Sequence, residues 1–320
     1  MNFIRDFLSR PKIKKFSGAY LSPPIATQTA NSGKVLQTKT EERDLTAFFC
    51  SIHSFVTLTE QIPIAQLPEL LNVYFTTAVE TIHAEGGTLD KYIGDVVVAM
   101  FGAPANLSDH ALHACVAALK IQNQIADLRK KLQYEAGKWP EIVHGLRIRI
   151  GLHSGRAIVG NIGTPTRYQY TMLGDDVNLA ARCESGAKQW GVWTLCTGTT
   201  KQACERAQPR RILFRSLGPI LAKDHADLLE LFEPVSLLED TTDELRECVR
   251  LFEEGLARYL TQDWEGAEAF FRSSAELEPN QPGKTLGVTS NPSLVFISNC
   301  GYLRAHPPSA DWSGIFFKND

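Results

Sequence analysis

No stretch of this 320-residue sequence is long and apolar enough to span a bilayer. The best run, residues 92–105, is broken by Asp95 and two glycines, which a hydrocarbon interior would penalise. A charge excess is missing too: 33 basic and 36 acidic residues leave a net charge of −3, which does not advertise nucleic acid or an anionic membrane as a partner. Paired cysteines are absent. The seven cysteines are odd in number and none falls in a C-x-x-C pair, which argues against a disulfide scaffold or structural zinc site and for a reducing, cytosolic setting. Several catalytic signatures are also lacking: a Gly-Lys-Ser/Thr phosphate loop, G-x-S-x-G, H-E-x-x-H and a dinucleotide fingerprint. The first 16 residues lack the apolar core of a signal peptide. Pro11 interrupts any helix that would lay Phe3, Ile4, Phe7 and Leu8 on a membrane, so they read as a solvated lead-in.

An apolar content of 43% rules out a wholly disordered chain, and the length suits one large domain with an appendage. Residues 22–42, rich in Pro, Ser, Thr, Gln and Asn, read as an irregular linker. Residues 45–52 suit a buried strand, and helical spacing over 68–85 ends at Gly86-Gly87. Residues 88–93 and 96–101 read as a hairpin turned by Gly94-Asp95. An amphipathic helix over 109–132, two strands over 146–152 and 157–162 around His153-Ser154-Gly155-Arg156, and a helix over 175–189 follow. Strand, helix, hairpin, helix, strand is a ferredoxin-like α+β order with additions. Beyond Leu237 the texture turns charged and helical. Gly255, Ala267, Phe271 and Pro279 fall at the offsets of one tetratricopeptide-type helical hairpin, which this stretch resembles, with Tyr259 and Ala275 one residue off. One such hairpin cannot bury its face alone, so it is expected to pack on the main domain rather than on a partner. The division is therefore a lead-in over 1–43, the main domain over 44–236, the hairpin over 237–280 and a tail over 281–320.

Two segments concentrate the chemistry. Gly86-Gly87-Thr88-Leu89-Asp90-Lys91-Tyr92-Ile93-Gly94-Asp95 sets an acid at a hairpin tip, with Lys91 and Asp95 four apart on one strand face. Tyr170–Arg182 runs through Gly174-Asp175-Asp176 into a helix on which Asn178 and Arg182 share a face. Taken together, and in this order, the two segments resemble the class III nucleotidyl cyclases, the adenylate and guanylate cyclase family, over roughly residues 44–235. Residues 16–23 resemble the segment that precedes the catalytic domain in membrane-tethered bacterial members.

The resemblance implies a head-to-tail homodimer with two composite sites that convert a nucleoside triphosphate into a 3′,5′-cyclic nucleotide and pyrophosphate, a phosphorus–oxygen lyase reaction using Mg²⁺ or Mn²⁺. Asp95 matches a metal-binding aspartate, Lys91 the adenine-reading lysine and Thr171 the second base-reading position, which favours ATP over GTP. Asn178 matches the ribose-orienting residue and Arg182 the one that stabilises charge on the triphosphate. Arg156 and Lys223 match two further phosphate-contacting positions. One position departs: where the family's first strand ends in a second metal-binding aspartate, this chain has Ser51. A serine hydroxyl adds no negative charge for the metal that activates the 3′-hydroxyl. A loss of about 3–4 kcal/mol of transition-state stabilisation there lowers the rate by about 10²–10³. His53 shares the strand face of Ser51 and is read as packed, while strand spacing aims neither Asp44 nor Asp90 inward. The rival reading is an ATP-binding pseudo-cyclase that senses ATP or regulates a partner through the hairpin. A heterodimer with a chain that keeps the aspartate is a further form of partnership. The setting is cytoplasmic as the chain stands, or the cytosolic part of a membrane-tethered sensor.

Overall fold

The structure, a computed structural model, describes residues 40–135, 137–164, 167–221, 228–309 and 311–315. The lead-in up to residue 39, Lys223 and the last five residues lie outside them.

Strand β1 (Thr40–Ile52) is the spine of the sheet. It begins five residues before the expected start, so residues 40–43 are ladder rather than linker. The reason is its neighbour. Strand β4 (Ile148–Thr164) is continuous across His153-Ser154-Gly155-Arg156, where a break between two strands was expected. Pairing of the two runs unbroken from Thr40↔Gly160 to Ile52↔Ile148. Gly155 is not there to turn the chain: a Cβ at this position would collide with the Asp176 carboxylate.

Strands β2 (Thr88–Ile93) and β3 (Val96–Phe101) form the expected hairpin, with Gly94 at φ +62° in the turn. The strand order β2-β3-β1-β4, antiparallel throughout, is the ferredoxin-like arrangement. Strand β5 (Arg167–Leu173) pairs with β4. Beyond β4 the sheet continues through β6 (Thr194–Thr197), β8 (Leu228–Leu237) and β7 (Ile212–Leu221).

Alternation along β1 divides the core. Phe48, Cys50 and Ile52 face helices α2 (Leu67–Ala84) and α3 (His110–Tyr134), which follow the short α1 (Phe55–Gln61). The buried Tyr74 hydroxyl of α2 donates to the Cys50 carbonyl at 2.9 Å. Leu45 and Ala47 face the other way, toward Val177 and Ala180 of helix α5 (Asp175–Gly186), which comes after the single turn α4 (Glu141–His144).

After α6 (Gly198–Ala207) and the β7–β8 hairpin come α7 (Asp243–Leu260) and α8 (Trp264–Leu277), the expected pair of helices. A third helix, α9 (Pro292–Ala305), lies where the tail had no assigned structure. Its Phe296 and Cys300 pack with Phe252 and Tyr259 of α7, Phe271 of α8 and Leu217 and Leu231 of the hairpin. The helical unit thus meets the sheet through α7, which packs on β7, while α9 covers the aromatic face of α7 and α8. Arg215 of β7, 1% exposed, ties the parts together, giving a two-pronged bond to Glu278 after α8 and facing Glu233 of β8.

Candidate active site

Two clusters hold most of the residues singled out in the sequence. The first lies between β2 and β5. Lys91 Nζ donates to Thr171 Oγ1 at 2.9 Å, so the two expected base-reading side chains do meet. Asp90 meets them as well. Thr171 Oγ1 donates to Asp90 Oδ2 at 2.7 Å, and Gln169 Nε2 donates to Asp90 Oδ1 at 3.1 Å. Asp90 is thus drawn to Thr171 and Gln169, and no described bond joins it to Ser51. The register of β2 against β3 slips between Leu89 and Lys91, a bulge that breaks the alternation and re-aims neighbouring side chains. Burial pushes the Asp90 carboxyl above its ordinary value, while the Thr171 hydroxyl, the Lys91 ammonium and the Met172 backbone N–H pull it back.

The second cluster lies where β1, β4 and α5 converge. Gly151 of β4 allows α5 to approach; a Cβ there would collide with the Glu184 nitrogen and the Ala180 carbonyl. That close approach sets Glu184 against Ser51, whose hydroxyl donates to Glu184 Oε1, and Arg149 Nε pairs with the same oxygen at 3.2 Å. Ser51 is 5% exposed. Asp95 Oδ2 accepts the Ile52 N–H at 2.8 Å. Burial raises the Asp95 carboxyl, the Ile52 and Asp95 N–H groups lower it, and the Glu184 carboxylate raises it further. His53 packs edge-on against Trp193 at 5.2 Å, and burial with Arg149 alongside lowers its basicity. Among the described residues no group of three or more His, Cys, Asp and Glu side chains is placed to hold a metal. Asp95 by itself still suits a hard divalent cation: it is a half-buried carboxylate on which Arg149 acts at a distance while pairing directly with Glu184. Ser51 suits one less, because its hydroxyl is neutral and brings no negative charge to a cation.

Asn178 and Arg182 lie one turn apart on the exposed side of α5, whose other side buries Val177, Leu179, Ala180 and Cys183. Arg156 lies mid-strand in β4, its side chain 74% exposed and paired with Glu42 at 2.9 Å. Its backbone N–H is held by Asp176 at 2.7 Å, and Asp176 also meets His153 Nε2 at 3.1 Å. Lys91 is engaged by Thr171 of β5 and Asp95 by the Ile52 N–H of β1, and no described hydrogen bond or ion pair joins the two. Glu184, Arg149 and Asp176 were missed in the sequence, since nothing local marks a residue 133 positions from Ser51 as its partner.

The sequence model of the adenylate and guanylate cyclase catalytic domain matches residues 37–218. Adenylate cyclase 1 of Rhizobium meliloti is 33% identical over 196 residues, 61% of this chain and 28% of that protein. The adenylate cyclase of Anabaena cylindrica is 31% identical over 186 residues, 58% of this chain and 36% of that protein. The chain thus spans about a third or less of the length of these curated relatives. Among solved structures, the adenylyl cyclase CyaB from P. aeruginosa superposes with a TM-score of 0.56 at 29% identity, covering 64% of this chain and 100% of that one.

Proposed function

The chain belongs to the adenylate and guanylate cyclase catalytic domain family, and on that premise we propose that it binds ATP and converts it to 3′,5′-cyclic AMP and pyrophosphate. The observation that carries this reading is the junction of Lys91 with Thr171, an ammonium donor beside a hydroxyl, which suits the adenine edge. Asn178 would orient the ribose, and Arg182, with Arg156 and Lys223, would neutralise charge on the triphosphate. A divalent cation on Asp95 would help activate the 3′-hydroxyl and balance the α-phosphate charge. The division of the expected residues between two clusters, Lys91 with Thr171 and Asp95 with the Ile52 N–H, supports a site completed by a second copy, each copy lending one cluster to the other.

Ser51 lowers turnover in this reading. Its hydroxyl is turned to Glu184, whose charge is already met by Arg149. The test is cyclic nucleotide production from ATP and GTP, with Mg²⁺ and with Mn²⁺, by this chain and by Ser51→Asp. Cyclic AMP made from ATP, with a gain of at least about tenfold in the variant, is expected. Inactivity of both chains with ATP still bound would move the reading to an ATP-binding pseudo-cyclase. A chain that stays monomeric with nucleotide present would overturn the composite site.

A further inference from the structure

The base-reading cluster holds a third residue, and it decides what Thr171 can offer a purine. A threonine hydroxyl has one proton to give and two lone pairs to accept with. Here the proton is spent: Thr171 Oγ1 donates to Asp90 Oδ2 at 2.7 Å and accepts from Lys91 Nζ at 2.9 Å. The Asp90 side chain is 1% exposed, its other oxygen takes the Gln169 amide, and Lys91 Nζ lies 3.6 Å away as counter-charge. A carboxylate held in this way has no proton to return. What remains on Thr171 is one lone pair, an acceptor.

We propose that Asp90 is the positioning residue for purine choice, acting through Thr171 by fixing its hydroxyl as an acceptor. The inference rests on the ATP reading above and adds a device to it. Adenine presents an amino donor at its 6-position beside the N1 acceptor, whereas guanine presents the 6-oxo acceptor beside an N1–H donor. An acceptor at Thr171 with a donor at Lys91 matches adenine at both atoms. Against guanine the same acceptor faces an oxygen, and a rigid mismatch between buried polar groups is what rejects an analogue strongly. If the hydroxyl were free to turn, it would donate to the guanine oxygen and the discrimination would weaken. The bulge in β2 makes this possible, since regular alternation would put Asp90 and Lys91 on opposite faces.

The test is calorimetric binding of the non-cyclisable α,β-methylene analogues of ATP and GTP to the full chain, to Asp90→Ala, to the closer-shaped Asp90→Asn, to Thr171→Val and to the Asp90→Ala/Thr171→Val double variant. The unmodified chain should prefer the ATP analogue. In Asp90→Ala the ATP-to-GTP affinity ratio should fall by about tenfold, the worth of one hydrogen bond redirected. Asp90→Asn should lower it by about threefold or more. With Thr171→Val in place, removing Asp90 should leave the ratio unchanged, because the intermediary is gone. A merely structural role would weaken both analogues alike. An unchanged ratio in Asp90→Ala and Asp90→Asn, with the ATP analogue still bound, overturns the assignment of Asp90 alone. Failure of the unmodified chain to bind either analogue overturns the ATP reading and takes this assignment with it.

Discussion

Arg215 faces two carboxylates with one positive charge, and that imbalance has a measurable signature. Glu278 receives the two-pronged bond from Arg215 and the Ser293 hydroxyl at 2.8 Å. Glu233 receives less. Its Oε2 lies 3.1 Å from Arg215 Nε, yet neither atom has a hydrogen-bond partner. Burial, with Glu278 nearby and Arg215 opposing, pushes the Glu233 carboxyl up from 4.5 to about 7. A carboxyl raised in the folded state contributes stability below its unfolded value, and that contribution is lost as pH rises through the folded value. The native chain should therefore lose stability between about pH 4.5 and pH 7, flattening above. A shift of this size is worth about 3 kcal/mol at full burial. The Glu233 side chain is 15% exposed, which brings the expectation to about 2–3 kcal/mol. Glu233→Gln keeps the shape and cannot ionise. Urea unfolding at pH 4 and pH 8 would then show the variant nearly equal to the parent at the lower pH and more stable by about that amount at the higher. A variant less stable than the parent at pH 8 would mean that Glu233 is ionised and needed as a partner of Arg215, and the reasoning would fail.

Gly151→Ala should push α5 off β4, because the added methyl meets helix backbone rather than a flexible side chain. A loss of about 1–3 kcal/mol in urea unfolding should come with weakened ATP-analogue binding, since Asn178 and Arg182 ride on that helix. A variant that kept both properties would show that the close approach is dispensable. Tyr74→Phe removes the donor to the Cys50 carbonyl and leaves that buried acceptor short of a partner. A cost of about 1–3 kcal/mol is expected in the same assay, and a neutral result would count against that bond as a link between α2 and β1.

What the sequence disclosed and what it hid follow one physical division. The β2–β3 hairpin was legible to the residue because its cues are local: apolar runs on either side of Gly-Asp, with Gly94 supplying the positive φ. The lysine, threonine, asparagine and arginine of the proposed site could be picked out because each is spelled within two short segments. Their supports were not. The bulge at Asp90 is a property of pairing, visible only once Leu89 lies against Ala99 and Lys91 against Val98. The continuity of β4 depends on thirteen successive partners in β1, which outweigh a Ser-Gly pair that suggests a turn when read alone. Helix α9 owes its place to Phe252, Tyr259 and Phe271, aromatic partners from helices that precede it. Ser51 shows why this matters for function. As a letter in the sequence it is a missing carboxylate, and the natural inference is an empty ligand position. In the fold it is one end of a hydroxyl–carboxylate–guanidinium chain through Glu184 to Arg149. Restoring aspartate at 51 therefore places a second carboxylate against Glu184, and Arg149 must then serve both. The gain expected of Ser51→Asp depends on that guanidinium, or a metal ion, taking up the added charge.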